Sequence, residues 1–443
     1  MDFIPNTDKD REVMLNSINI ENVSELFKDV PPSLLLKENL KIPKGLSEIE
    51  LKDLLGKISK KNNVNFSYFL GAGAYKHFIP SIVNHIISRS EFYTSYTPYQ
   101  SEISQGTLQA IYEYQTMICN LTGMDVANAS MYDGASALAE SCIMAVNITK
   151  RREILISKAI HPDYRQVVNT YCEAHGFLLV EVGFSDGVTS INELKEKISD
   201  KTAAFLVQSP NFFGCIEHLN EIENIVHYNG SLLNVCVVEP TSLGILKSPG
   251  DFGVDIFVGE GQSFGNPLNF GGPYLGIMAT KQEYVRQIPG RIVGATVDKD
   301  GERGFILNLQ AREQHIRREK AGSNICSNEA LCALAASVYL SALGKNGLRE
   351  VSELCLQKAH YLAYELKEVG AEVVFSNQFY NEFVVRVKDA EIVNSKLLDN
   401  GIIGGLELGK YYPELDNCLL FCVTELNGRE DMDRLVGVVK TCN

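Results

Sequence analysis

Hydrophobic and polar positions follow distinct rhythms along this chain, and the rhythm changes twice. Up to about residue 60, apolar positions recur at helical spacing in short stretches, 8–18, 23–27 and 48–58. Breaks at Pro31-Pro32 and Ile42-Pro43 separate them. Ser47 followed three residues later by Glu50 predicts a capping box for the third stretch. This part reads as a helical extension that packs on something else.

From residue 104 the pattern becomes regular. The spacing predicts helices over 104–121, 134–146, 162–175, 191–198 and 217–228. Between and after them it predicts strands over 153–157, 177–182, 203–208, 232–238, 255–258 and 274–278. Strands alternating with helical spans of roughly 10–15 residues indicate βαβ units and a mainly parallel sheet. Leu232-Leu233-Asn234-Val235-Cys236-Val237-Val238 is nearly continuous in apolar side chains, as a strand buried on both faces requires. After residue 325 come two long helices, 328–343 and 348–369, then strands near 372–375, 382–387 and 419–423. The predicted organisation is an N-terminal helical extension (1–65), an α/β large domain (66–325) and a smaller C-terminal α+β domain (326–443).

The 443 residues are 45% hydrophobic and 22% charged, as in a soluble globular protein long enough for two or three domains. A formal net charge of −14 argues against nucleic acid and against an anionic membrane surface, because both are bound through excess Lys and Arg. The 11 cysteines are odd in number and scattered singly, which predicts reduced thiols and a reducing compartment. No metal site is expected, since the eight histidines include no HxxxH pair. The polar N-terminus lacks the features of a secretion signal, and no apolar run is long enough to predict a membrane span. A cytoplasmic location is the default expectation.

One strand end carries the sharpest chemical information. Val254-Asp255-Ile256-Phe257-Val258 runs into Gly259-Glu260-Gly261-Gln262-Ser263-Phe264. In an α/β enzyme that uses pyridoxal phosphate, the lysine that forms the Schiff base sits at such a place. Here the turn offers Gln262 and Ser263, neither of which forms an imine, and no lysine occurs between Lys247 and Lys281.

Other stretches admit both a chemical and a structural reading. Asp133-Gly134-Ala135-Ser136 precedes a helix, so its free N–H groups could cradle a phosphate, or Asp133 and Ser136 could simply cap the helix. Glu239 ends a buried strand and could pair with a protonated pyridine nitrogen or serve the fold. His161 follows another strand, where open α/β sheets place their ligands, and a lone histidine there is most often structural. Gly71-Ala72-Gly73-Ala74-Tyr75 and the 259–265 turn lack the spacing and context of a dinucleotide site. Residues 92–102 hold Tyr93, Tyr96 and Tyr99 with Pro98, Gln100 and Glu102, a composition that suits recognition or a packing loop. Residues 312–320, Arg312-Glu313-Gln314-His315-Ile316-Arg317-Arg318-Glu319-Lys320, read as a solvated helical face with a Glu313–Arg317 pair, or as an interface or anion site.

Several longer stretches together carry a resemblance. They are Tyr96-Thr97-Pro98-Tyr99-Gln100 with Glu102, Ser104-Gln105-Gly106, Tyr114-Gln115-Thr116-Met117 and Gly123-Met124-Asp125-Val126-Ala127-Asn128-Ala129-Ser130. Gly259 with Gln262, Phe270-Gly271-Gly272-Pro273, Gln310-Ala311-Arg312-Glu313-Gln314 and Ser323-Asn324-Ile325-Cys326 continue it, nearly end to end from Ile4-Pro5. On these residues the chain resembles the P-protein family of the glycine cleavage system, the glycine decarboxylase component. Within it, the chain is most similar to subunit 1 of the two-subunit bacterial form.

The resemblance implies an aspartate-aminotransferase-like fold, the type I fold of pyridoxal-phosphate enzymes. It implies decarboxylation of glycine and transfer of the aminomethyl group to the lipoyl arm of H protein, formally an oxidoreductase reaction with a disulfide acceptor. It also implies that subunit 2 carries the lysine and the cofactor, most simply in an α2β2 heterotetramer. This chain would then hold a vestigial pocket (Asp133, Gly134, Ser136, His161, Glu239, Gln262). It would lend the partner's site the loop bearing Tyr93, Tyr96, Tyr99, Gln100 and Glu102. Two alternatives remain at the level of sequence: an independent pyridoxal-phosphate lyase or decarboxylase using Lys247 or Lys281, and a non-catalytic regulatory subunit.

Overall fold

The computed structural model describes residues 5–442 apart from 37, 39, 95, 96, 326 and 327. The chain divides into two compact units, Met1–Val64 and Asn65–Asn443. The first carries helices Asp8–Ser17 and Glu48–Ser59 and a 3₁₀ turn, Val23–Phe27, where sequence spacing alone suggested an α-helix. The capping box at Ser47 and Glu50 is present, with the Ser47 N–H donating to Glu50 Oε2 at 2.8 Å. Among its described residues none is buried, and Ile18, Leu26, Phe27, Ile49, Leu55 and Ile58 all stand exposed.

The second unit is built on a seven-stranded sheet. In chain order its strands are β1 (Val126–Ala127), β2 (Glu153–Ser157), β3 (Leu178–Val182), β4 (Thr202–Gln208), β5 (Leu232–Val237), β6 (Ile256–Glu260) and β7 (Gly276–Thr280). Their spatial order is β1-β7-β6-β5-β4-β2-β3. The neighbours from β6 through β3 are parallel, while β7 runs antiparallel to both β6 and β1. Every residue of β4, β5, β6 and β7 is buried, which is why these strands read as apolar runs without alternation. Helix Gly134–Thr149 is buried over most of its length and joins Ile154, Ile156, Leu206, Ile256 and Val258 in the core of one face.

Helix Ala330–Glu368 is broken at Gly344, whose φ of 58° and ψ of −175° interrupt the helical run between the two stretches expected from the sequence. It is the one helix among the described residues long and apolar enough, by length and composition, to cross a membrane. Tyr339 and Leu348 on its buried side pack in the core of the other sheet face. A four-stranded antiparallel sheet follows, with Glu382–Arg386 paired to Cys418–Cys422 at its centre. The hairpin Ile292–Val297 with Arg303–Asn308 was not anticipated. Its outer positions are polar and its strands flank a Gly/Asp turn, so the apolar signal is weak.

The two sheets meet tightly at the loop after β4. Gly214 has φ +83°, and its carbonyl accepts from Tyr380 N–H at 3.1 Å. A Cβ there would lie 1.8 Å from the Glu382 carbonyl oxygen, which is backbone and cannot move aside. Gly214→Ala is therefore expected to destabilise the protein by about 3 kcal/mol or more. Gly437→Ala, in a helix with open space around it, should instead be neutral or stabilise by up to about 1 kcal/mol. Urea unfolding of both variants followed by circular dichroism checks the pair.

Candidate functional site

Parallel strands β5 and β6 lie in register, Val237 opposite Gly259, so their C-terminal ends bring Glu239 beside the 259–263 turn. Ser263 Oγ donates to Glu239 Oε2 at 2.9 Å. Gln262 is buried and its amide is used on both sides. Its carbonyl accepts the Tyr75 N–H at 2.9 Å, and its nitrogen donates to the Tyr75 carbonyl at 2.9 Å and the Asn266 carbonyl at 2.7 Å. The side chain thus pairs with the Tyr75 backbone much as one strand residue pairs with another. It has no group that could react with an aldehyde.

The start of helix Gly134–Thr149 is capped by its own residues. Asp133 Oδ1 accepts the Ser136 N–H at 2.7 Å, and Ser136 Oγ accepts the Asp133 N–H at 3.3 Å. The Gly134 N–H, the donor a phosphate would take, points at Glu260 Oε2 at 2.9 Å. Glu260 Oε1 accepts the N–H groups of Gln262 and Leu275, each at 3.0 Å. Burial pushes the Glu260 pKa up to about 7, against the pull of these three donors. A Cβ at Gly134 would meet Tyr164 Oη at 2.5 Å and Glu260 Cβ at 3.1 Å, so no room is left at the cradle.

His161 and Glu239 are also engaged internally. His161 Nδ1 accepts the Asp163 N–H at 3.1 Å, which leaves the proton on Nε2 to donate to the Ala72 carbonyl at 2.9 Å. Burial lowers the His161 pKa and favours that neutral ring. Gly73, at φ +101°, presses against the ring, since a Cβ there would lie 2.9 Å from His161 Nε2. Glu382 closes the same loop from the small sheet, accepting Ala72 N–H at 2.6 Å and Tyr75 Oη–H at 2.8 Å. Residues 71–75 are therefore held at once by His161, Gln262 and Glu382. Glu239 pairs with His77 Nε2 at 3.2 Å, while His77 Nδ1 pairs with Glu425 at 2.7 Å. Burial disfavours charge on His77, but the two carboxylates outweigh it and raise its pKa well above the usual imidazole value.

These residues do not fit pyridoxal phosphate held as in an enzyme that anchors it. The amine is replaced by a bonded amide. A carboxylate takes the Gly134 N–H that a phosphate would need, a loop carbonyl takes the His161 Nε2–H, and an imidazole stands beside Glu239 where a pyridinium would. Lys247 is exposed and donates to the Asp251 carbonyl, and Lys281 pairs with Asp255 at the far end of β6 from Gln262. Neither replaces the missing anchor.

The tyrosine loop lies elsewhere, and Tyr96 falls outside the described residues. Tyr93, Tyr99, Gln100 and Glu102 are exposed. Tyr99 Oη accepts from Arg291 Nη2 at 3.1 Å, with the guanidinium over the ring at 5.4 Å. The expected Glu313–Arg317 pair does not form. Residues 310–320 break into three short turns instead of one helix, and Glu313 turns toward Arg291 at 4.0 Å and His315 at 3.5 Å. Among the described residues no hydrogen bond links this loop to Gln262, His161 or Glu239.

Sequence reading missed Glu260, Tyr75, His77, Glu382 and Glu425. Glu260 alone carried a signal, a carboxylate between two glycines at the end of a buried strand. The others come from segments far apart in the chain.

Glu260 makes stability depend on pH. Its folded pKa of about 7 exceeds the ordinary 4.5, so the folded chain keeps a proton that the unfolded chain has lost. Its contribution therefore falls as pH rises from about 4.5 through about 7. Glu260→Gln removes that dependence. Relative to the parent, the variant should gain on the order of 2–3 kcal/mol between pH 5 and pH 8. Urea midpoints at the two pH values check the difference.

Comparison with known proteins agrees with this scaffold over its whole length. The family model described as "Glycine cleavage system P-protein" matches residues 1–439. A protein of Desulfitobacterium hafniense called probable glycine dehydrogenase (decarboxylating) subunit 1 is 55% identical over 441 residues, 99% of each chain. The crystal structure of a glycine decarboxylase (P-protein) of the glycine cleavage system, in inhibitor-bound form, matches with a TM-score of 0.92 at 42% identity, covering 100% of both chains. A sphingosine-1-phosphate lyase of Burkholderia pseudomallei, 13% identical over 93% of this chain and 94% of its own, shares the fold with a TM-score of 0.67. The fold is thus that of type I pyridoxal-phosphate enzymes. With one family model and close relatives spanning the same length, the chain belongs to the glycine cleavage system P-protein family.

Proposed function

We propose that this chain is the subunit of a glycine decarboxylase that does not anchor the cofactor. In this reading a second chain of similar fold holds pyridoxal phosphate on its lysine, and the two chains together decarboxylate glycine and pass the aminomethyl group to lipoylated H protein. The observation that carries the reading is the amide pairing of Gln262 with Tyr75, in the place where a lysine would be. Pyridoxal phosphate supplies the electron sink for decarboxylation, and here it belongs to the partner.

Two further features support a partner. The described residues of the first 64 bury none of their side chains, yet their helices carry apolar stripes that gain about 25 cal/mol per Å² when covered. The name "subunit 1" borne by the relatives speaks of a second chain in their case. The simplest assembly is an α2β2 heterotetramer with large, partly apolar interfaces. This chain's part in the chemistry is to wall the partner's site, exclude water and place the substrate. Tyr93, Tyr99, Gln100 and Glu102 are the residues assigned to that wall, and Tyr96 is assigned with them on sequence alone.

Two outcomes test the reading. Incubation of the isolated chain with pyridoxal phosphate and borohydride should leave no site-specific lysine adduct by mass spectrometry. Glycine decarboxylation should need both chains. A stoichiometric adduct, or full activity of the second chain alone, would reject it. Tyr99→Phe should leave assembly intact on size exclusion and lower turnover of the complex by about 10- to 1000-fold if the hydroxyl orients the reacting groups. An unchanged rate would return Tyr99 to a packing role through Arg291.

A further inference from the structure

We propose that the second unit carries an anion-binding site for a phosphate-class ligand, separate from the filled pocket described above. It is a cavity of about 640 Å³ between the C-terminal end of helix Gly134–Thr149, the 286–290 turn and the 312–323 segment. Lys150, Arg152, Arg286, Arg312, Arg317 and Lys320 all line it, against one acidic group, Glu313. Among the described residues none of these six cations lies within ion-pair distance of a carboxylate, in a chain that carries 55 acidic side chains against 41 basic ones. Five of the six are exposed, and Arg152 is also held by the His175 and Gly176 carbonyls, but together they concentrate positive charge at one place and attract an anion there.

Arg312 supplies an independent observation. One of its nitrogens, Nη1, donates to the Ile288 carbonyl, while Nε and Nη2 are sealed from solvent with no hydrogen-bond partner. Burial lowers its pKa, offset only in part by the charge of Glu313. Buried donors without partners are costly, and a small turn of the guanidinium would bring them to an oxyanion in the cavity, which accepts two parallel N–H bonds. The partial negative charge at the end of helix Gly134–Thr149 favours one nearby cation such as Lys150, and it is too small to balance six. Ile143, Val146, Phe177 and Ile288 form an apolar wall, so the cavity suits a phosphate carried on an organic body as well as free phosphate.

The charge count explains why residues 312–320 are so basic when their helix is broken and the expected Glu313–Arg317 pair is absent. Arg312, Arg317 and the exposed Lys320 all line the one cavity. The assignment stands whether or not the chain acts as the non-anchoring subunit.

Isothermal titration of the full chain, and of its complex with the second chain, in phosphate-free buffer tests it. The probes are inorganic phosphate, pyrophosphate and glycerol phosphate. Saturable binding of at least one probe to both preparations is expected, weakened about tenfold in Arg312→Gln and in the exposed pair Arg317→Gln/Lys320→Gln. It should also weaken on raising NaCl from about 50 to 500 mM. Tighter binding of glycerol phosphate than of inorganic phosphate assigns the site to an organic phosphate, and the reverse assigns it to the free ion. Binding that is absent up to about 10 mM, or unaltered in the Arg317→Gln/Lys320→Gln variant, overturns the proposal. So does binding to the free chain that vanishes in the complex, because the cavity then receives acidic side chains of the second chain.

Discussion

The arrangement around the strand ends depends on one hydrogen-bonded pair, the side-chain amide of Gln262 with the backbone of Tyr75. Tyr75 lies 187 residues from Gln262 in the chain, so the contact closes a long loop, and it is made between buried groups that water no longer serves. With it in place, Ala72 reaches His161 and Glu382, and Tyr75 reaches Glu382. An amine at position 262 would offer donors but no acceptor, leaving the Tyr75 N–H unpaired. The glutamine therefore does more than lack a lysine's reactivity. Its role in this chain is structural.

The charges show the same conversion. A cofactor pocket of this fold needs an acid facing a protonated ring nitrogen and donors facing a phosphate. Here Glu239 faces His77, and the Gly134 N–H faces Glu260. Each substitute preserves the local charge relation with groups the chain itself supplies. His77 is a buried cation between two carboxylates, and Glu260 is a carboxylate near neutrality at the positive end of a helix. No buried charge at these points is left without a partner.

Outside these strand ends, several surface features stand out. The exposed tyrosines at 93 and 99, the apolar helices of the first 64 residues and the basic cavity at 312–320 are all unusual for an isolated chain. Tyr99 connects to the basic segment through Arg291 and Glu313, so the tyrosine loop and the cationic segment are parts of one electrostatic network. Exposed aromatic rings and unpaired cations are tolerated on a surface when another molecule covers them.

The apolar periodicity by itself determined most of the helices and strands between residues 104 and 280, and residue identity alone showed the absence of a lysine from the turn after β6. These depend on residues close in sequence, where side-chain period and chain direction leave few choices. The run 232–238 could only be a strand buried on both faces, and Gly344 is where the run 328–369 breaks into two helices. A cap by Asp133 or Ser136 was one of two readings the sequence allowed, and the structure shows both residues in a capping box. Tertiary structure alone decided what fills the pocket. The Gly71-Ala72-Gly73 stretch carried no sign that it would fold onto His161, and His77 none that it would sit between Glu239 and Glu425. Those contacts join residues scores to hundreds of positions apart, and their energies come from burial that no local window contains. The same holds for Arg312–Lys320. Spacing suggested a solvated helix, and only the packing of the 286–290 turn and a helix end against the segment made it one wall of a cationic cavity.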